Sequence, residues 1–108
     1  MLKSVTTVLE RRVELTSTHF THPFEVGWAS QAIAFVRVEG VHPPITIQPE
    51  ISPDGIHWVS HNESQILSED EDMVAVHSRE FGNWIRFAVK GATQEAPVVA
   101  LIHLALKG

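Results

Sequence analysis

The sequence contains no cysteine and no tyrosine among its 108 residues. Without cysteine, a disulfide scaffold, a zinc-thiolate site and thiol catalysis are all excluded. Basic residues are also scarce, with 8 Lys and Arg against 13 Asp and Glu. They form no basic stripe that would bind nucleic acid and no cluster that would bind an anionic membrane. We therefore expect neither partner.

Long hydrophobic runs are missing as well. The longest apolar stretch, residues 97–106, is interrupted by His103 and stays below the roughly 18 residues that a membrane span needs. The N-terminus shows no apolar h-region and no small-residue cleavage site, so no signal peptide is recognisable. We expect a cytoplasmic or virion-associated protein.

The composition is that of an ordinary globular domain, with 44% hydrophobic and 19% charged residues. At this length we expect a single domain over residues 1–108 with its own core. Four acids form the run Glu69–Asp72, which is contiguous and lacks the glycine of a calcium-binding loop. We interpret this run as a solvated loop.

Proline and glycine recur at short intervals, and β-rich runs lie between them. Several of these runs alternate apolar and polar residues, which is typical of strands with one wet face. The predicted strands are residues 11–16, 24–28, 33–39, 45–52, 56–61, 73–77, 84–90 and 98–106. Together they predict an all-β, antiparallel, jelly-roll-like β-sandwich of about eight strands.

The alternation also predicts which side chains form the core. Ile33, Phe35, Val99 and Leu101 alternate with core positions and yet are apolar, which indicates a second buried surface. That surface favours a homo-oligomer or contact with other structural proteins. The predicted core consists of Val13, Leu15, Val26, Val36, Val38, Ile45, Ile47, Trp58, Ile85, Phe87, Val89, Ile102 and Leu104.

The start of the chain, residues 4–15, is compatible with either a helix or a strand. Val5, Val8 and Leu9 follow helical spacing. The β-branched residues at positions 6–7 disfavour a helix. The pattern leaves both alternatives open.

The segment Ser52-Pro53-Asp54-Gly55 predicts a tight hairpin turn, with Asp54 bonding its own backbone. Residues 51–58, which end at Trp58, resemble the S-x-D-G-x-x-W hairpin of discoidin-like (coagulation factor 5/8 C-type) domains and phage-type jelly rolls. Residues 84–87 are similar to a later strand of those domains. The resemblance implies a jelly-roll sandwich with Trp58 in its core. It also implies a non-enzymatic role, either binding glycan or lipid or assembling with other chains.

Trp84 and Arg86 share the strand face opposite Ile85, where an indole could stack on a sugar ring beside a hydrogen-bonding guanidinium. With Trp28 and His61 they are the candidate ligand-binding residues.

A metal site finds little support in the spacing of the histidines. On one strand His57, His61 and Glu63 would spread over about 20 Å, so a single metal cannot bind all of them. We predict no metal site and no cofactor.

Signatures of catalysis are also lacking, since the sequence contains no nucleophile elbow, P-loop or dinucleotide-binding fingerprint. We therefore expect a non-enzymatic structural or assembly module, either homo-oligomeric or decorating a larger, phage-like particle. The alternative is a carbohydrate-binding module that uses an exposed Trp face, with a glycan as its partner.

Overall fold

The computed structural model describes residues 3–108, which contain ten β-strands and no helix. The start of the chain is therefore a strand and not a helix. The strands are β1 (Ser4–Leu15), β2 (His19–Phe20), β3 (Phe24–Glu25), β4 (Gln31–Glu39), β5 (Ile45–Ser52), β6 (Val59–Ser60), β7 (Gln65–Leu67), β8 (Met73–Arg79), β9 (Trp84–Lys90) and β10 (Val98–Lys107).

The strands form two antiparallel sheets. Sheet A has the order β1-β10-β4-β8, and sheet B has the order β2-β9-β5-β6, with β3 also paired to β9 and β7 also paired to β5. Because β2 and β3 share one position beside β9, and β6 and β7 share one beside β5, the sandwich has the eight strand positions of a jelly roll. The prediction of an all-β, antiparallel, jelly-roll-like sandwich is confirmed.

Two strand positions of sheet B are each divided between two short strands, and each division has a local cause. Pro23 separates β2 from β3, because proline has no N–H for the ladder. Between β2 and β3, the Thr21 hydroxyl takes the place of a backbone carbonyl and accepts a hydrogen bond from the Phe87 N–H at 2.9 Å. Asn62 separates β6 from β7 with a φ of 62°, a left-handed conformation that interrupts an extended strand.

The hydrophobic core lies between the two sheets and includes the fully buried Phe87, Ile45 and Leu67. Burial of a side chain of this size contributes about 1.5–3 kcal/mol. All predicted core residues are buried except two. Val13 is partly buried against the core, and Trp58 is half-buried and lies outside it.

The position of Trp58 corrects the prediction of a tight hairpin. β6 pairs with β5 only through Val59 and Ser60, so residues 53–58 form a loop rather than a short turn and a longer strand. Hydrogen bonds to the Asp54 side chain close this loop on itself. Trp58 therefore turns away from the core, against expectation, and onto the outer surface of sheet B.

The pairing of β1 with β10 is regular over only the first part of the strand. Its register with β10 is regular from Ser4 to Val8 and then shifts twice before Val13. Arg12, at φ 46°, lies in this irregular part and forms a bidentate ion pair with Glu39, at 2.9 and 3.0 Å. The hydrogen bond to the Glu39 carboxylate raises the pKa of Arg12.

Candidate functional site

The outer face of sheet A carries an apolar surface. One row of partners runs across the four strands through Val8, His103, Phe35 and Ala75. The strand pairing places further apolar residues in the rows beside this one. We call this surface the sheet A face; its members, all half-buried, are Val8, Ile33, Phe35, Ala75, Val99, Leu101, His103 and Ala105.

Charged residues lie toward the ends of the sheet A face. At one end Arg37 lies opposite Leu101, and Glu39 lies beside Val99. At the other end Lys107 and Arg79 lie in the last row. Given the strand spacings, the area over which these residues lie measures about 20 Å along β10 and about 15 Å across the strands, or roughly 300 Å² including the polar side chains among them. Patches of this size on a monomer are often functional.

The outer face of sheet B carries a stacked cation. The guanidinium carbon of Arg86 lies 4.2 Å from the centre of the Phe20 ring and 4.4 Å from that of Trp58. Arg86 Nε donates to Glu50 Oε1 at 2.7 Å, and the two side chains are only 20% and 14% exposed. We call these four residues the Arg86 cluster. It connects β2, β5 and β9 with loop 53–58.

Asp54 organises loop 53–58. Its Oδ1 accepts hydrogen bonds from the N–H groups of Ile56 and His57, both at 2.8 Å, and its Oδ2 lies 2.7 Å from the His57 ring. These bonds, the one from the His57 N–H above all, hold the pKa of Asp54 far below its ordinary value. Asp54 is therefore the turn residue that the sequence predicted.

Gly55 brings the loop close to Trp84. Its φ of 80° is a left-handed conformation, and a Cβ at this position would lie 3.3 Å from the Trp84 indole. Loop 53–58 thus covers part of the outer face of sheet B, with Gly55 against Trp84 and Trp58 against Arg86.

The four predicted site residues do not form one cluster. Trp84 and Arg86 lie two positions apart on the outer face of β9, opposite Ser52 and Glu50. Trp28 instead packs under the Lys3 ammonium, which lies 4.4 Å from its ring centre. His61 lies elsewhere, with its Nε2 2.6 Å from the carbonyl oxygen of Arg79 in sheet A.

Sequence reasoning missed two aromatic members of the Arg86 cluster as site residues. Phe20 belongs to a two-residue strand, which is too short to show a periodicity. Trp58 was expected in the core. Glu50 belongs to the polar face of β5 in the sequence pattern, but its pairing with Arg86 depends on which strand lies beside β5.

A third polar arrangement involves the buried side chain of His42, which is 5% exposed. Its Nδ1 lies 2.7 Å from the Pro43 carbonyl oxygen and its Nε2 lies 2.5 Å from that of Glu71. Carbonyl oxygens only accept hydrogen bonds, so the ring nitrogens are the donors to these oxygens. This contact attaches the β4–β5 loop to the acidic run.

The acidic run itself is an exposed turn, as predicted. The Ser68 hydroxyl lies 2.6 Å from a carboxylate oxygen of Asp70 and 2.6 Å from one of Glu71. These contacts lower the pKa of both carboxyl groups. Within residues 3–108, no group of three or more His, Asp or Glu side chains is placed to hold a metal ion.

Comparison with known families identifies one match. Residues 29–106 fit the sequence model for "Domain of unknown function (DUF6385)". This stretch begins just before β4 and includes both central strands of sheet A, which carry Phe35 and Leu101. A search among curated proteins found no match.

Several solved structures share the fold. A chain of the disulfide-linked pili that form Bacillus endospore appendages has a TM-score of 0.65 at 11% identity, covering 98% of this chain and 86% of that one. The protein YomS, derived from the SPBc2 prophage, has a TM-score of 0.64 at 13% identity, covering 100% and 96%. PirA has a TM-score of 0.52 at 10% identity, covering 97% and 93%.

The described part of the chain has no helix of the length and apolar character needed to cross a membrane.

Proposed function

Because the chain belongs to the DUF6385 family, whose description gives no activity, we propose a function from its surfaces: a non-enzymatic structural module that assembles with copies of itself. The observation that carries this proposal is the sheet A face. A jelly roll needs only the inner faces of its sheets to be apolar. Here part of the outer face of sheet A is apolar as well, with one such row crossing all four strands.

A second copy of the chain fits the sheet A face by its chemistry. The row through His103 and Phe35 contains no Lys, Arg, Asp or Glu, so two such rows bring no like-charged pair of these side chains together. Removing apolar area from water contributes about 25 cal/mol per Å². Association would therefore be driven by the same effect that forms the core.

The neighbouring folds support this proposal and suggest a setting. One belongs to a pilus subunit and another to a prophage-derived protein. The pili are described as disulfide-linked, whereas this chain has no cysteine, so its own assembly would not use disulfides. Decoration of a phage-like particle is the setting that we propose. The discoidin-like resemblance stays a prediction.

Light scattering on a size-exclusion column tests the proposal. We expect the wild-type protein to elute as a discrete oligomer of the 12.0 kDa chain. Phe35→Lys and Leu101→Lys should lower this mass, because each places a charge in the sheet A face. The matched control is Val41→Lys, which makes the same kind of change at a fully exposed loop residue. A wild-type monomer at all concentrations would overturn the proposal.

A second candidate function is carbohydrate binding, which the Arg86 cluster and Trp84 support. The Phe20 ring is 46% exposed, and the Arg86–Glu50 pair offers both donors and acceptors to hydroxyl groups. Because the pair is internally neutralised, a neutral sugar suits it better than an anion. Binding on a glycan array that is lost in Trp84→Ala would favour this function over assembly alone.

A further inference from the structure

The free edges of the two sheets differ in how well they are protected against pairing with another chain. Edge strands of natural proteins are usually short, charged, bulged or interrupted by proline. On sheet B, the edge strands β2, β3, β6 and β7 contain only two or three residues each. On sheet A, the β8 edge carries His77 and Arg79, and the Asn62 side chain accepts a hydrogen bond from the Arg79 N–H at 2.8 Å.

The remaining edge, β1, is protected over only part of its length. Its second part has two register shifts, a left-handed Arg12 and the charged residues Glu10, Arg11 and Glu14. The first part, Ser4–Val8, has a regular register and no charged residue. Within residues 3–108, no backbone hydrogen bond reaches this part from the side opposite β10. It is therefore a five-residue template for another strand.

Hydrogen-bond alternation shows which residues present their backbone to this open side. The Gly108 N–H donates to the Lys3 carbonyl at 2.8 Å, so Lys3 points its polar groups toward β10. In an antiparallel pair the direction alternates along the strand. Ser4, Thr6 and Val8 therefore direct their N–H and C=O groups outward.

We propose that Ser4–Val8 pairs antiparallel with the same segment of a second copy, with Thr6 on the two-fold axis. This register pairs Ser4 with Val8 of the partner and Thr6 with itself, so all three outward-facing residues exchange hydrogen bonds. It also pairs side chains that point to the same face of the sheet, because Ser4, Thr6 and Val8 all lie opposite outer-face residues of β10. A different register of the same segment leaves at least one of the three unpaired.

The pairing would increase the area available for assembly. This step rests on the proposed function, which is assembly through the sheet A face. Joining two β1 edges makes one eight-stranded sheet from two four-stranded ones. The two sheet A faces then lie side by side and, by the same strand spacings, together offer roughly 600 Å². That approaches the ~800 Å² per partner of a standard stable interface, which a single face does not reach.

Engineered cysteines can test the register because the natural chain has none. In the proposed pair the two Thr6 Cα atoms lie about 5.5 Å apart, within the range of a disulfide. Thr6→Cys should therefore form a disulfide-linked dimer under mild oxidation. Ser4→Cys is the matched control on the same edge, because its two copies would lie about 14 Å apart, beyond disulfide reach. Cross-linking of both variants to the same extent, or of neither, would overturn the proposed register.

A proline variant tests the edge without a cross-link. Thr6→Pro removes an outward N–H and no bond to β10, so we expect the oligomer mass to fall by at least half while the circular dichroism spectrum stays that of a folded sheet. An unchanged mass in a folded Thr6→Pro protein contradicts the edge pairing. If Phe35→Lys still dissociates that protein, assembly through the sheet A face stands and only the edge proposal fails.

Discussion

Arg86 shows that a charged side chain can be mostly buried on the outer face of a β-sandwich, outside the core. Its guanidinium contacts two aromatic rings, and its Nε donates to Glu50. Stacking of this kind contributes about 0.5–2 kcal/mol depending on desolvation. The ion pair alone would contribute less if it were exposed, because solvent screens surface pairs.

Replacing Arg86 should therefore destabilise the fold. We expect Arg86→Ala to lower the free energy of unfolding by about 2 kcal/mol, since Glu50 loses its partner while remaining mostly buried. Urea unfolding followed by tryptophan fluorescence measures the change. The control is Arg12→Ala, which removes an ion pair that is 71% exposed on the arginine side and should leave the midpoint nearly unchanged. Equal effects of the two variants would contradict this account.

Loop 53–58 is the element in which the structure departs most from the sequence pattern. It contains the turn residues of a hairpin, and yet it folds back over sheet B because Asp54 satisfies the N–H groups of Ile56 and His57. Gly55 makes the close approach to Trp84 possible. The loop thus acts as a cover for the outer face of β9.

A comparison of Gly55 with Gly40 separates the cost of crowding Trp84 from the cost of a left-handed backbone. Gly55 and Gly40 have similar φ values, 80° and 73°, but of the two only Gly55 would bring an added Cβ within 4 Å of a neighbour. We expect Gly40→Ala to cost about 1 kcal/mol for the left-handed backbone, and Gly55→Ala to cost more because it crowds Trp84. Thermal unfolding gives both values. Equal costs would mean that the loop moves off Trp84 without penalty.

The molecule as a whole combines a closed core with an outer face that resembles a second core. His103 lies at the centre of that face, between Val8 on β1 and Phe35 on β4. On the same face, Arg37 lies diagonally across on β4 and His77 lies on β8. Both are basic side chains, so neither would offset a positive charge introduced at position 103.

Assembly through this face should consequently weaken when a permanent charge is placed at its centre, because a charged side chain is costly to bury against an apolar partner. We expect His103→Lys to lower the mass of the oligomer and His103→Leu to leave it unchanged. His22→Lys, at an exposed position on the other sheet's side of the chain, should behave like wild type. Light scattering on a size-exclusion column decides between these outcomes.

Much of the architecture could be predicted from the local alternation of apolar and polar residues along the chain. Val36 and Val38 in β4, and Ile102 and Leu104 in β10, alternate with outward residues, and strands with this period bury one face. The boundaries of β9 were predicted without error for the same reason. The short strands β2 and β7 were not predicted, because two or three residues carry no period.

The sequence by itself determined the alternation of each long strand, the turn chemistry of Asp54 and Gly55, and the excess of apolar residues on β4 and β10, because these depend on neighbours along the chain. Only the tertiary structure decided that Phe20, Trp58 and Glu50 surround Arg86, that Trp28 and His61 lie apart from it, and that Ser4–Val8 forms a free edge. Those relations depend on which strands become neighbours. Strand order in a jelly roll is determined by non-local packing between the two sheets, which no local pattern encodes.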